Sequence, residues 1–517
     1  MTRRHLLRLA ALSPVLAAAR AAGLVPLETA LAQSVAPDVE LELTAAPGTA
    51  QLLPGQPTRL WRYNARVVKG PASAVQQLPG SYLGPVIRVK RGQHVRIRFR
   101  NQLPEPSIVH WHGLDVPERA DGHPRLAIEP NAEYVYDFEV VNRAGTNWYH
   151  PHPHMRTAYQ AYHGLAGLFV VTDPEEEALG LPGGEAELLF VLQDRRFDNA
   201  NQLVYAGGAG GNAPMGRGGM GRGGMMAMME TMNGWLGDRF LVSGQVQPAL
   251  DVDRRTYRVR LLNGSNARIY KLAWSHQAPF TVIGTDGGLL AAPHTIKHLT
   301  LAPGQRADIL LDLSSVAAGT TIQLQSAAYP AAAVGRAGMM GETAPVPQGA
   351  PLALATLRVS SKQGPRFQAP ARLSVDRFTA TPSAPVRRVP LTFMQMNWFI
   401  DGRTFDMETA TPAETVAPGS THIWEFVNQP NPMGMAMAHP IHMHGRQFRV
   451  LSRTGAEDNP LREGIHDQGW TDTTLVLPGE TVRVQVTFST FPGLYLYHCH
   501  ILEHEDMGMM RNFRIRA

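Results

Sequence analysis

Ten histidines and the single cysteine fall into four short segments whose spacing suits metal chemistry. The segments are His110-Trp111-His112-Gly113, His150-Pro151-His152, His439-Pro440-Ile441-His442-Met443-His444, and His498-Cys499-His500-Ile501-Leu502-Glu503-His504, with Met509 ten residues after the cysteine. On a strand, side chains repeat every two residues, so each His-X-His presents both imidazoles on one face. Four such pairs supply eight imidazoles, leaving His439, Cys499, His504 and Met509. Two imidazoles, a thiolate and a weak axial thioether are the ligands of a blue copper electron-transfer site, and the thiolate selects against Mg, Ca and Mn. Eight further imidazoles exceed what one ion needs and imply a cluster. Cys499 lies between His498 and His500, so a few backbone atoms join the two centres. Zinc also takes His and Cys, but it needs neither ten histidines nor an axial methionine. One His-X-His alone is ordinarily structural; four in matched positions around the only cysteine are not.

The elements that must position these residues repeat along the chain. Gly92 leads to Asn101 and Gly419 to Asn428, nine residues in both. Pro130 leads to Gly145 after 15 residues and to His150 after 20; Pro478 leads to Gly493 and His498 at the same intervals. The runs Glu133–Val140 and Thr481–Phe488 alternate with period two, as half-buried strands do. A middle copy lacks the histidines but keeps Tyr257-Arg-Val-Arg-Leu-Leu-Asn263 and Ala302-Pro303-Gly304. Three β-sandwich domains are expected, over 38–175, 185–360 and 389–517, with a Met/Gly-rich insertion at 207–232 and a linker at 361–388. The chemistry falls on the outer copies, in a site shared between them.

Bulk properties agree. The 517 residues suit about three domains. Forty Pro and 49 Gly favour short strands and turns over helices. Residues 1–32 carry four Arg and one acid; without them 44 basic and 42 acidic residues remain, a balance that gives nucleic acid no footprint. Scattered Arg on alternating strands read as solvated faces. The start, Thr2-Arg3-Arg4-His5-Leu6-Leu7-Arg8, an Ala/Leu stretch and Ala30-Leu31-Ala32, reads as a twin-arginine-type signal peptide over 1–32. The expected setting is periplasmic or otherwise exported, through the twin-arginine machinery, as a monomer without stable membrane insertion.

The four segments resemble the signature of the multicopper oxidases: laccases, ascorbate oxidase and bacterial copper-efflux oxidases. The run from His498 to Met510 and Asn233-Gly-Trp-Leu-Gly-Asp238 are close to the copper-efflux members. The resemblance implies an all-β fold of three cupredoxin-like Greek-key sandwiches and four copper ions. By position it implies a type 1 copper on His439, Cys499 and His504 with Met509 axial, and a type 2 copper on His110 and His442. One type 3 copper takes His112, His150 and His500, and the other His152, His444 and His498. Substrate electrons are expected at the edge of His504 or His439. Reducing O2 consumes protons, so acids must sit near the cluster. Asp121, eleven residues after His110, and Glu505, after His504, match acids that relay protons in related enzymes. His154 is read as packing behind the cluster, and His94, His123 and His163 as structural or exposed.

The implied reaction is one-electron oxidation of a phenolic or aromatic reductant, or of Cu(I), coupled to four-electron reduction of O2 to water. A dedicated periplasmic cuprous oxidase is the alternative, and a copper-free envelope scaffold is disfavoured by the full ligand set. Residues 215–232 hold Met215, Met220, Met225, Met226, Met228, Met229 and Met232 among Gly and Arg. Thioethers select Cu(I), and the glycines suggest a flexible segment outside any core. In copper-efflux oxidases the Met-rich insertion lies in the third domain, whereas here it opens the second. Their acid four residues before the type 1 His is Met435 here; Met437 matches a copper-contacting Met, and Met339 and Met340 approximate another.

Overall fold

In a computed structural model the described residues are 35–205, 222–335 and 344–516, with backbone alone for 222–227. The expected signal segment and Met215, Met220, Met339 and Met340 lie outside them. Six sheets pair into three sandwiches. The first joins a four-stranded sheet, built on Val39–Ala50 and His94–Asn101, to a five-stranded one that carries Val109–His112 and Gly145–Pro151. The middle joins seven strands to five, and the third joins five to five. Strands Val39–Ala50 and His94–Asn101 run parallel, while the rest of the first four-stranded sheet is antiparallel, which requires crossovers between sheets. Each sandwich has its own apolar core, seen in Trp111 and Phe169, in Trp274 and Ile309, and in Trp424 and Phe513.

The repeated Asn has a physical cause. Asn101 Nδ2 donates to the carbonyls of Glu105 (2.9 Å) and Ile128 (3.0 Å). Asn263 Nδ2 donates to Arg268 and Leu301, both at 2.8 Å. Asn428 Nδ2 donates to Met437 (2.7 Å) and Val476 (3.1 Å). Ile128, Leu301 and Val476 each lie two residues before the proline of their copy, Pro130, Pro303 and Pro478. In each sandwich one buried amide thus ties a strand end to the segment that precedes the proline of its copy.

Apolar seams lock the sandwiches together. Tyr82, Trp148, Val191 and Leu241 close the first against the middle, and Ile269, Tyr329, Leu475 and Leu477 the middle against the third. The seams explain a departure from expectation. Arg258 and Arg260, read as a solvated face, are 3% and 2% exposed. Arg258 pairs with Glu176 at 2.8 Å and Asp308 at 2.5 Å, and Arg260 with Glu187 at 2.6 Å. The first sandwich covers that face, so the charges are paired there rather than hydrated. The stretch 361–388 is partly docked: Leu373 is buried in the middle core, and Val386–Met394 is already a strand of the third sandwich. Among the described residues no helix is long and apolar enough to cross a membrane.

The insertion also departs from expectation. Arg222–Asn233 is a helix, and Met229 and Met232 are 7% and 1% exposed within the core of the third sandwich. Their i, i+3 spacing puts both on one helical face, which outweighs the helix-weakening glycines.

Asn263→Ala leaves the Arg268 and Leu301 carbonyls without their donor. The middle sandwich is expected to lose about 1–3 kcal/mol. Calorimetry would register this as an earlier transition, and an unchanged profile would exclude the tie as a support.

Candidate metal centres

Two strand pairs carry the eight paired imidazoles, and they do so in the same register. His110 stands opposite His150 across Val109–His112 and Gly145–Pro151; His442 stands opposite His498 across His439–Met443 and Gly493–Cys499. His152, His444 and His500 each lie one residue past their strand ends. The two sheet ends face each other, and all eight rings are fully buried.

A near two-fold arrangement relates the two halves. His110 Nδ1–H donates to the Asp121 carbonyl (2.6 Å), and His442 Nδ1–H to the Asp472 carbonyl (2.9 Å). Their Nε2 atoms face each other at 3.3 Å. The Asp121 carboxylate reaches across to His444 Nδ1 (2.8 Å), and the Asp472 carboxylate reaches across to His112 Nε2 (3.0 Å). His110 stacks on His444 with centroids 3.7 Å apart, and His112 on His442 at 3.6 Å. Each aspartate therefore orients one ring from its own sandwich and one from the other. Asp472 did not emerge from the sequence. Its signal was its position: like Asp121, it is an acid shortly before the proline of its copy, Pro478.

The remaining rings converge similarly. His498 Nε2 lies 3.1 Å from His444 Nε2 and 3.5 Å from His152 Nε2. His500 approaches His112 and His150 with ring centroids at 5.0 and 5.4 Å. Burial, reinforced by neighbouring imidazoles, holds His110, His112, His152, His444, His498 and His500 well below the usual imidazole range, and lowers His150 to about 3. These rings are neutral and keep a lone pair. His112 Nδ1, His150 Nε2 and both nitrogens of His500 are buried without a hydrogen-bond partner. Such orphaned atoms are costly unless something binds them, and borderline cations that take imidazole fit them.

The second centre lies in the core of the third sandwich. Cys499 Sγ is 3.5 Å from Nδ1 of both His439 and His504, and all three residues are fully buried. Met509 is buried beside them; its N–H donates to the His504 carbonyl (2.8 Å) and its carbonyl accepts from Cys499 N–H (3.0 Å). Burial pushes the thiol up and the two imidazoles down, His504 to about 3. A thiol so placed ionises only with a cation in hand, so the donor set fits a soft metal. The outer edge of His504 is covered. His504 Nε2–H donates to the Met232 carbonyl (3.0 Å), and the same oxygen accepts from Trp398 Nε1–H (3.0 Å). The Trp398 ring packs on His439 and His504 at 4.6 and 5.2 Å.

Asp121 and Glu505 both border the eight-imidazole site. Glu505 Oε1 lies 3.5 Å from His152 Nε2 and Oε2 3.3 Å from His498 Nδ1, with no hydrogen-bond partner for either oxygen. Burial raises both carboxyls well above the usual range, aided by Glu118 and Asp115 for Asp121 and by Asp506 for Glu505. Asp472 differs. Burial would raise it too, but the Arg306 guanidinium outweighs that and holds it below the usual range. Arg306 comes from the histidine-free middle sandwich and grips both Asp472 oxygens, at 2.7 and 2.5 Å. Sequence reading missed this residue as well, because nothing local marks it. Of the other histidines, His154 is exposed and does not pack behind the cluster, while His123 is buried against Asn512 (3.0 Å).

Arg306→Met would leave Asp472 a buried carboxylate without its cation, free to protonate and loosen its hold on His112. Copper affinity at the eight-imidazole site is expected to fall roughly 10- to 100-fold, with Arg306→Lys intermediate because it keeps the charge but not the fork. Copper per chain after dialysis against a chelator measures this; wild-type retention in both variants would exclude the clamp.

Family models described as multicopper oxidase match residues 61–176, 220–323 and 379–517. The chain is 32% identical over 436 residues to the multicopper oxidase mco of Staphylococcus haemolyticus, covering 84% of this chain and 83% of the relative. It is 30% identical to a laccase of Bacillus stratosphericus, covering 88% and 90%. The crystal structure of McoA multicopper oxidase from Aquifex aeolicus is similar at TM-score 0.75 and 34% identity, over 93% of this chain and 97% of that one. Identity sustained along nearly the whole length, over a fold that carries a thiolate centre and an eight-imidazole centre side by side, makes the conclusion plain: the chain belongs to the multicopper oxidases.

Proposed function

We propose that this copper oxidoreductase takes its electrons chiefly from Cu(I), less readily from phenols, and uses four electrons and four protons to reduce O2 to two waters. The observation that carries the choice of reductant is the cover over His504. Both imidazoles of the thiolate centre are fully buried, and the Met232 carbonyl occupies the outer nitrogen of His504. A bulky phenol cannot rest on that edge, whereas a small soft ion needs only the thioether surface outside it.

In this reading four copper ions are held as the resemblance implies. His439, Cys499, His504 and Met509 hold the type 1 ion. His110 and His442 hold the type 2 ion. His112, His150 and His500 hold one type 3 ion, and His152, His444 and His498 the other. The convergent donor atoms of His439, Cys499 and His504, and of His152, His444 and His498, support two of these groups, and the facing Nε2 atoms of His110 and His442 a third; for His112, His150 and His500 the support is their orphaned nitrogens. When bound, the copper accepts single electrons at the thiolate and delivers four to O2 at the cluster. The chain supplies the path: His498 and His500 flank Cys499, so the two centres are covalently continuous. Glu505 and Asp121 hold protons beside the cluster because burial favours their neutral forms. Asp472, pinned as an anion by Arg306, positions rings instead. The arginine pair near the N-terminus supports export through the twin-arginine machinery, which carries folded proteins.

The deciding experiment is O2 consumption by copper-loaded enzyme with Cu(I) and, separately, with a dimethoxyphenol, each with and without added Cu(II). Strong Cu(I) turnover, with phenol oxidation dependent on added copper, is expected; efficient phenol oxidation without it would overturn the preference. Cys499→Ser is expected to lose both blue colour and turnover, and retained colour would refute the thiolate assignment. Glu505→Gln is expected to slow O2 reduction by roughly 100-fold or more while type 1 reduction, followed by stopped flow, keeps its rate. Equal slowing of both half-reactions would refute a proton-holding role.

A further inference from the structure

A further pair of histidines meets away from both centres, where the middle sandwich touches the third. His294 stands on Gly288–Ile296, the edge strand of the seven-stranded sheet, opposite Val282. His466 lies in the loop that runs from the turn Arg462–Gly464 to the strand Thr473–Val476 of the third sandwich. Their rings approach with centroids 4.9 Å apart and planes at 65°. The two centres described above give the scale: His439 and His504 meet at 5.3 Å and 59°, and His152 and His498 at 5.1 Å and 83°. A pair this close and this inclined has the spacing of two rings that share one ion.

The nitrogens supply the second observation. His294 Nδ1 and both nitrogens of His466 are buried without a hydrogen-bond partner. Such atoms are few in native proteins, because leaving them unpaired is costly. The same signature marks the eight-imidazole site, in His112 Nδ1, His150 Nε2 and both nitrogens of His500. The two residues as wholes are half-buried, so an ion can reach the pair from solvent.

The loop that carries His466 is anchored on both sides of it. Glu463 accepts from Lys271 Nζ at 2.7 Å and lies 3.1 Å from His298 Nδ1. Asp467 is gripped by the buried Arg453 guanidinium at 2.8 and 3.0 Å. A Cβ at Gly464 would stand 2.9 Å from Thr300 N, and one at Gly469 2.6 Å from Leu290 Cδ2, so the loop backbone lies directly on the middle sandwich. Both acids are thereby spent on cations, and the donors left without partners are imidazole nitrogens. Beyond His466 the Trp470 carbonyl accepts from Thr285 Oγ1 and Gly287 N–H, both at 2.8 Å, and the chain continues to Asp472.

We propose that His294 and His466 form a site for one divalent cation of the borderline class that takes imidazole, such as Zn(II), and that the ion staples the middle sandwich to the third. Two neutral imidazoles suit such ions and leave Mg and Ca aside. Water completes the coordination on the exposed side. The site exists only while the two sandwiches are docked, so the ion stabilises the docking by mass action. It also fixes the segment whose Asp472 carboxylate aims His112.

The test uses copper-loaded enzyme, so that the resident sites are filled, and Zn(II) as a probe that undergoes no redox change. Equilibrium dialysis of the wild type is expected to show one saturable Zn(II) beyond the resident copper, with the blue band unchanged. His294→Gln and His466→Gln remove one ligand from each sandwich. Each is expected to weaken Zn(II) at least as much as loss of an outer-shell partner does, about tenfold or more. Zn(II) is expected to raise the melting temperature of the wild type and not of either variant. His276→Gln, exposed elsewhere on the middle sandwich, is expected to behave as wild type. Wild type that takes up no Zn(II) beyond the resident copper would overturn the site, as would a loss in His294→Gln and His466→Gln no greater than in His276→Gln. An equal rise in melting temperature in wild type and both variants would overturn the staple.

Discussion

Two aspartates hold this molecule's chemistry in place. Asp121 and Asp472 each spend a backbone carbonyl on a ring of their own sandwich and a carboxylate on a ring of the other. Eight buried imidazoles brought to one place would repel one another if charged. Their hydrogen-bonded nitrogens decide which lone pairs point inward. The clasp also sets the register of the first sandwich against the third. A shift at that interface would unmake two ring orientations at each aspartate.

The symmetry of the clasp is broken by one residue. Arg306 reaches from the middle sandwich to both oxygens of Asp472, and among the described residues no guanidinium or ammonium pairs with Asp121. A buried carboxylate paired to a guanidinium is a fixed charge, whereas one left to burial alone favours its proton. The two aspartates thus differ in charge preference: Asp472 is held as an anion by Arg306, and burial favours the neutral form of Asp121. A domain without a single ligand thereby enters the site.

The helix Arg222–Asn233 does for the thiolate centre what Arg306 does for the cluster. It arrives from the start of the middle sandwich and packs Met229 and Met232 into the core of the third. Its Met232 carbonyl closes the outer edge of His504.

The sequence by itself determined the ligand types, their pairing on strand faces, the threefold repeat and the short link through Cys499, because each rests on local spacing. It even held the repeated Asn, whose reason is a bond to the residue two before each proline. Only the tertiary structure decided how the rings are aimed, why Arg258 and Arg260 are buried, and what covers His504. Asp472, Arg306 and Met232 act on partners 360, 166 and 272 residues away. At such separations no periodicity connects the partners; the packing of one sandwich against another alone brings them within hydrogen-bond reach.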